Sequence, residues 1–163
     1  MPKIELMQGD CLEKMKDIPD GSIDMILCDL PYGTTKCKWD TVIPFEPLWE
    51  QYNRVIKDNG AIVLFGSEPF SSRLRMSNIK NYKYDWIWEK PQGVNPLLSK
   101  KQPLNSIENI STFYKKQCLY NPQYESGKPY RVVRDKTERL CEVNGHTFTQ
   151  TETVNTGFRY PKR

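Results

Sequence analysis

Asp29-Leu30-Pro31-Tyr32 puts a carboxylate, a proline-restrained peptide and a phenol ring within four residues. The carboxylate can accept hydrogen bonds from a ligand. Pro31 disfavours helical dihedrals at Leu30, which holds the Leu30 carbonyl in extended backbone. Tyr32 adds a flat apolar face one step further on. The chain leading in, Ile23-Asp24-Met25-Ile26-Leu27-Cys28, reads as a short buried strand bounded by Asp20-Gly21-Ser22 and by Pro31. A carboxylate at the carboxyl end of such a strand stands where open α/β sheets bind their ligands. Taken as four letters, Asp-x-Pro-Tyr reads more readily as an ordinary strand-to-loop turn, so the surrounding elements carry the decision.

Those elements alternate. Lys3-Ile4-Glu5-Leu6-Met7 suggests a strand ending at a Gly9-Asp10 turn, and Leu12, Met15 and Ile18 follow at helical spacing until Pro19-Asp20-Gly21. Asp10 with Glu13 three residues on fits a capping box. After the Asp29 strand a loop rich in Thr, Lys and Cys runs to Pro44. Pro47 then opens a helix with Leu48, Trp49, Tyr52, Val55 and Ile56 on one side, closed by Asn59-Gly60. Ala61-Ile62-Val63-Leu64-Phe65 is a continuous apolar run, as expected of a central parallel strand, and it meets Gly66-Ser67 before a helix beginning at Pro69, with Phe70 and Leu74 inward. This rhythm predicts a βαβ architecture with a parallel sheet. Tyr84–Trp88 and Ile107–Tyr114 are two further strands, separated by a loop from Pro91 to Pro103 that is long enough to suggest function or disorder. From Asn121 no clear period survives, and no internal repeat is present.

The 163 residues suffice for one domain with a modest core. Hydrophobic content is 37% and mean hydropathy −0.70, with no apolar run near the roughly 20 residues of a membrane span. Met1-Pro2-Lys3-Ile4-Glu5 lacks the apolar centre of a signal peptide. Cys11, Cys28, Cys37, Cys118 and Cys141 are odd in number and never in Cys-x-x-Cys spacing, which suits reduced thiols and a cytoplasmic setting over a disulfide or metal framework. Residues 1–114 hold 14 basic and 15 acidic side chains, while residues 115–163 hold 10 and 5. The positive balance therefore belongs to the last third. There Tyr120, Tyr124, Tyr130, Phe148, Phe158 and Tyr160 interleave with the charges, a composition suited to nucleic acid.

The tetrapeptide and its strand resemble the Asp-Pro-Pro-Tyr motif of S-adenosylmethionine-dependent DNA amino-methyltransferases, with Leu30 where the family usually has its first proline. Gly9-Asp10-Cys11-Leu12 through Ile18-Pro19-Asp20-Gly21-Ser22-Ile23-Asp24 is similar to the segment preceding that motif in the β-type, permuted members. Arg54-Val55-Ile56-Lys57-Asp58-Asn59-Gly60-Ala61-Ile62-Val63 resembles their next helix and strand, Trp86-Ile87-Trp88-Glu89-Lys90 their Trp-x-Lys strand, and Ser106-Ile107-Glu108 the one after it. The likeness covers about residues 3–116, in order.

The resemblance implies a Rossmann-like methyltransferase fold with a mostly parallel sheet, residues 1–116 forming the catalytic core and 117–163 a basic target-recognition region. It implies transfer of a methyl group from S-adenosylmethionine to an exocyclic amine of a flipped base in double-stranded DNA. Adenine N6 is the expected acceptor, because Asp is usual in adenine-specific members and Ser in cytosine-N4 ones. Such an amine is a poor nucleophile, since its lone pair is delocalised into the ring; accepting its two hydrogens moves the nitrogen toward sp³ geometry. Asp29 and the Leu30 carbonyl would be those acceptors, Pro31 would fix the carbonyl and Tyr32 would stack on the base. Asp10, Asp29, Leu30, Gly66 and Ser67 would line the cofactor, although Asp10 is also a simple helix cap and Gly66-Ser67 a simple strand end. Lys36, Lys38, Trp39, Lys90, Arg131 and Arg134 are the candidate DNA contacts; Trp86 and Trp88 read as core or sheet-face packing. His146, the one histidine, has no visible partner, and no metal site is expected. One departure stands out. None of the nine glycines forms the family's Gly-x-Gly cofactor loop, so the fold is expected to be incomplete at its cofactor half. A truncated form, a dimer or complementing polypeptide, a different fold and a non-catalytic DNA-binding remnant all remain open at this point.

Overall fold

The computed structural model describes residues 3–133, 142–143, 146–147 and 152–159, and divides the chain into two compact units, one running to Leu119 and one from Tyr120. The first unit is built around a four-stranded sheet: β1 (Ile23–Asp29), β2 (Ile56–Gly66), β3 (Tyr82–Val94) and β4 (Asn105–Phe113), in the order β1-β2-β4-β3. A helical turn, α1 (Cys11–Lys14), precedes β1; α2 (Phe45–Val55) crosses from β1 to β2, and α3 (Phe70–Ser77) links β2 to β3.

The crossover makes β1 and β2 parallel, with Leu27 opposite Val63 and Asp29 opposite Phe65. β4 is antiparallel to both β2 and β3. The expected α/β fold is present, but the sheet is mixed and not mostly parallel. The reason is local: β3 and β4 are joined by a hairpin with no crossover helix, and a hairpin connects only antiparallel neighbours.

One face of the sheet carries the core. On α2, Leu48, Trp49, Tyr52 and Val55 are buried at helical spacing. They meet Ile62 and Leu64 of β2, Phe70 and Leu74 of α3 and Phe113 of β4 in one cluster, with Met15 from the turn after α1. Arg54 ties that turn to α2, its guanidinium donating to the Met15 carbonyl at 2.6 Å and the Ile18 carbonyl at 2.8 Å. Such bonds satisfy carbonyls that a short helix end leaves open. The opposite face is poorly covered, with Met25 53%, Leu27 61% and Trp88 47% exposed. Trp88 touches the Phe65 ring edge-on instead of entering the core, and Trp86 meets Tyr84 likewise.

Two local expectations fail. Lys3–Met7 forms no strand; Ile4 and Leu6 are 81% and 92% exposed, because the weak alternation finds no neighbouring strand to pair with. Asn59-Gly60 does not close α2, which ends at Val55. The pair falls where the β1–β2 register jumps from Ile23–Ile56 to Met25–Ala61, so the turn chemistry is used to bulge a strand.

The described residues of the second unit include three short two-stranded ribbons. β5 (Glu125–Ser126) pairs with β10 (Phe158–Arg159), β6 (Tyr130–Val133) with β9 (Glu152–Asn155), and β7 (Glu142–Val143) with β8 (His146–Thr147). The Tyr124 and Phe158 rings meet edge-on. No helix among the described residues is long and apolar enough to cross a membrane.

Candidate active site

Asp29 is the last residue of β1 and is exposed at the carboxyl end of the sheet. The chain then dips inward, since Leu30 is 5% exposed and joins the core cluster. Tyr32 turns back. Its hydroxyl donates to Asp29 Oδ1 at 2.6 Å, and its ring stacks on Phe70 with centroids 5.1 Å apart and planes 30° from parallel. Burial, and then the bond to the Asp29 carboxylate, push the Tyr32 phenol well above its ordinary pKa. The carboxylate and the ring are thus held against each other at the mouth of the site.

A second carboxylate, which sequence reasoning did not single out, fixes the loop that follows. Asp40 is only 8% exposed and accepts the Gly33 amide at 2.8 Å on one oxygen and the Thr35 amide at 2.6 Å on the other. These amides, Thr35 first, hold its carboxyl below the usual carboxylate range. Gly33 has φ +69 and a β-carbon there would lie 2.9 Å from Val42, so only glycine fits this turn without strain. The result is a closed eight-residue loop anchored one residue beyond Tyr32. Lys36 and Lys38 are exposed on it, and Trp39 is 73% exposed.

Asp10, Gly66 and Ser67 fall at the same end of the sheet. Asp10 caps α1, its Oδ1 accepting the Leu12 amide at 2.8 Å and the Glu13 amide at 3.4 Å; no hydrogen bond to Oδ2 is present among the described residues. The cap expectation holds, while Glu13 pairs with Lys16 instead of reaching back. Asp10, Cys11, Pro31, Trp39 and Val42 line a cleft of about 430 Å³. Gly66 ends β2 and lets α3 approach, since a β-carbon would sit 2.7 Å from Ser71 Oγ. Ser67 accepts from Asn105 Nδ2 at 3.3 Å. Lys90 is paired with Glu108 and largely buried, so its charge is neutralised locally. Arg131 lies on β6 in the second unit and is exposed; Arg134 lies outside the described residues, as does the thiol of Cys141. For His146 the backbone alone is described, in β8.

The arrangement offers two acceptors, Asp29 and the Leu30 carbonyl restrained by Pro31, beside an aromatic ring and a cleft with one carboxylate oxygen that accepts no hydrogen bond among the described residues. Asp40 is legible only in retrospect: an Asp seven residues beyond a Gly, after a strand end, is common loop composition. The Tyr32–Asp29 bond has an i,i+3 spacing in the sequence but no signal of its own.

No family model matches the sequence. The chain is 27% identical to the Type II methyltransferase M.HinfI of Haemophilus influenzae over a 117-position alignment covering 55% of this chain and 32% of that protein. In fold it is similar to M1.HpyAVI, solved as a complex with S-adenosylmethionine, at TM-score 0.53 and 20% identity over 84% of this chain and 61% of that one. It is similar also to the cytosine-N4-specific PvuII DNA methyltransferase, at TM-score 0.52 and 15% identity over 72% of this chain and 50% of that one. The chain spans about a third of the length of the curated relative it matches and one half to three fifths of these solved structures. The chain is thus similar in sequence, over part of its length, to a Type II methyltransferase, and in fold to M1.HpyAVI and the PvuII DNA methyltransferase.

Proposed function

We propose that the chain carries the base-modifying half of a DNA methyltransferase that acts on an exocyclic amine, adenine N6, of a base turned out of the duplex. One observation carries this reading: Asp29 and the Leu30 peptide stand together at the carboxyl end of β1, beside Tyr32 and next to the cleft lined by Asp10, Pro31 and Trp39. A cleft of about 430 Å³ lies within the range of small-molecule sites, and a carboxylate among apolar and aromatic walls suits a nucleoside-bearing cofactor. S-adenosylmethionine, the cofactor this reading takes, supplies an electrophilic methyl group on a sulfonium.

The protein's own part is acceptance and orientation. Asp29 takes one amino hydrogen and the Leu30 carbonyl the other, concentrating the lone pair on nitrogen. Tyr32 leaves Asp29 and stacks on the base; such stacking contributes roughly 1–3 kcal/mol, comparable to the cost of extruding a base. Asp40 keeps the loop beyond Tyr32 in one conformation, so that little ordering is left for the encounter. Exposed Lys36, Lys38 and Arg131 supply phosphate contacts. The second unit, with its interleaved aromatics and basic side chains, is the target-recognition region of this reading, in a cytoplasmic enzyme.

The test is methyl transfer from labelled cofactor to duplex DNA. Asp29→Ala should abolish turnover while duplex binding persists, because phosphate contacts provide most of the affinity. Normal methylation by that variant would remove Asp29 from the mechanism. A cooperating polypeptide is a second reading, favoured by β1, which among the described residues pairs on one side only, and by Met25 and Leu27 exposed on its face. It predicts millimolar or weaker S-adenosylmethionine binding by the 163-residue chain alone, and calorimetric binding in the micromolar range would refute it.

A further inference from the structure

β3 and β4 run on beyond the sheet as an arm. The last paired residues next to β2 are Asn109 opposite Gly66, yet the β3–β4 ladder continues through Trp88–Glu108 and Glu89–Ile107 to Val94–Asn105. The tip therefore leaves from the same end of the sheet as Asp29, and Asn105 at its base touches Ser67. The tip is not a loose loop. Leu98 donates to the Asn95 carbonyl at 2.9 Å, Lys101 to Leu98 at 2.8 Å and Gln102 to Leu98 at 3.0 Å, closing a turn around Pro96–Leu98.

On this fixed turn Leu97 is 94% exposed, with Leu98 and Leu104 partly exposed beside it. From Lys90 to Ile107 the sequence contains three lysines and no acidic residue. Lys90 is consumed by Glu108, whereas Lys100 and Lys101 have no ion-pair partner among the described residues. An apolar side chain held out on a hydrogen-bonded turn, flanked by uncommitted cations, is complementary to one kind of partner: a polyanion with an apolar interior. Duplex DNA has that character, with phosphates outside and stacked base faces within, and proteins insert leucine-type wedges between base steps.

From this geometry, and resting on the proposed methyl transfer to a turned-out base, we infer that the β3–β4 arm is a second DNA contact. Lys100 and Lys101 bind phosphates, and Leu97 enters the stack at the space a displaced base leaves behind. The wedge and the Asp29 site would then act on one duplex from the same end of the sheet. The arm is a positioning device; it touches no reacting atom.

Anisotropy measurements on the full 163-residue chain test this with two short labelled duplexes of equal sequence, one intact and one with a single abasic site that presents the gap ready-made. The unmodified chain should prefer the abasic duplex by roughly tenfold, since the extrusion cost is already met. Leu97→Ala should bring the two affinities together while leaving the salt dependence alone. Replacing Lys100 and Lys101 by Gln should lower the slope of log affinity against log salt by about two and preserve the preference. Leu97 is almost fully exposed, so these changes leave the fold intact, which circular dichroism checks. If the unmodified chain binds neither duplex, the methyltransferase reading fails and the arm with it. If it binds and the variants match it, the arm alone is refuted. A dimer in sedimentation that Leu97→Ala dissociates would overturn the proposal in favour of self-association.

Discussion

Changing Tyr32 to Phe and to Ala should have opposite effects, because the structure gives the tyrosine two separable parts. The hydroxyl is engaged with Asp29 at 2.6 Å, and the ring with Phe70. A hydrogen bond to a charged group contributes about 1.5–3 kcal/mol when shielded. Asp29 is exposed, so competing water reduces this to about 1 kcal/mol. That quantity opposes any step in which Tyr32 leaves Asp29 to meet a base. Tyr32→Phe removes the opposition and keeps the ring. Its transfer rate at low substrate should rise, by about fivefold at 1 kcal/mol. Tyr32→Ala removes the ring as well and should lose roughly 1–3 kcal/mol of stacking, a fall of about 5- to 150-fold below the Phe variant and of up to about 30-fold below the parent. Labelled methyl transfer to DNA at subsaturating concentration reads both. The folded state should respond the other way, Tyr32→Phe being less stable than the parent. Because the folded phenol pKa is raised, that advantage of tyrosine should be complete below the unfolded value of about 10 and lost as pH rises above it. Equal losses of transfer in the Phe and Ala variants would refute the reasoning, since the hydroxyl–carboxylate bond would then belong to the working state and not to the resting one.

Asp40→Asn should loosen the loop from Gly33 to Asp40, seen as faster amide exchange at Gly33 and Thr35 with the sheet amides unchanged. Asp40, Asp58 and Glu68 all have carboxyls held below their ordinary range, so stability should be lost as pH falls through and below about 4, and Asp40→Asn should make that acid limb shallower. Phe113 is fully buried between Trp49 and Tyr82, and Phe113→Ala should cost about 3–5 kcal/mol in urea unfolding. Removing residues 117–163 should weaken duplex binding and flatten its salt dependence, since that segment holds the excess of basic residues; an unchanged slope would make the tail a solvated surface.

The parts legible in the sequence are those set by local chemistry. β1 was bounded by its turn residues, β2 by an uninterrupted apolar run, and α3 by Phe70 and Leu74 at helical spacing, all of which the structure shows buried or paired. Asp29 at a strand end, and Asp10 as a helix cap, follow from the same local rules. What escaped depends on distant partners. Lys3–Met7 has a strand-like pattern but no neighbour, and whether Trp88 packs in the core or on a sheet face is decided only by the structure, which puts it on the uncovered face. The direction of β4 could not be read, because Pro91–Pro103 resembles a structureless loop in composition while its backbone closes a hairpin. Asp40 was invisible since its two partners are backbone amides, and every residue but proline carries one.

β1 carries the Asp29 carboxylate while sitting at the rim of its sheet, with β2 on one side and, among the described residues, no strand on the other. Along such a strand successive amides point alternately inward and outward, so every second N–H is locked to β2 and every second one is open to solvent. Deuterium uptake across Ile23–Asp29 should therefore be striped, slow and fast by turns, whereas β2 and β4, flanked on both sides, should be uniformly slow. The stripe would serve as a gauge. Any molecule that takes up the vacant rim must erase the fast positions one by one, and the residues at which the stripe disappears would report the register and direction of the newcomer without a structure of the assembly.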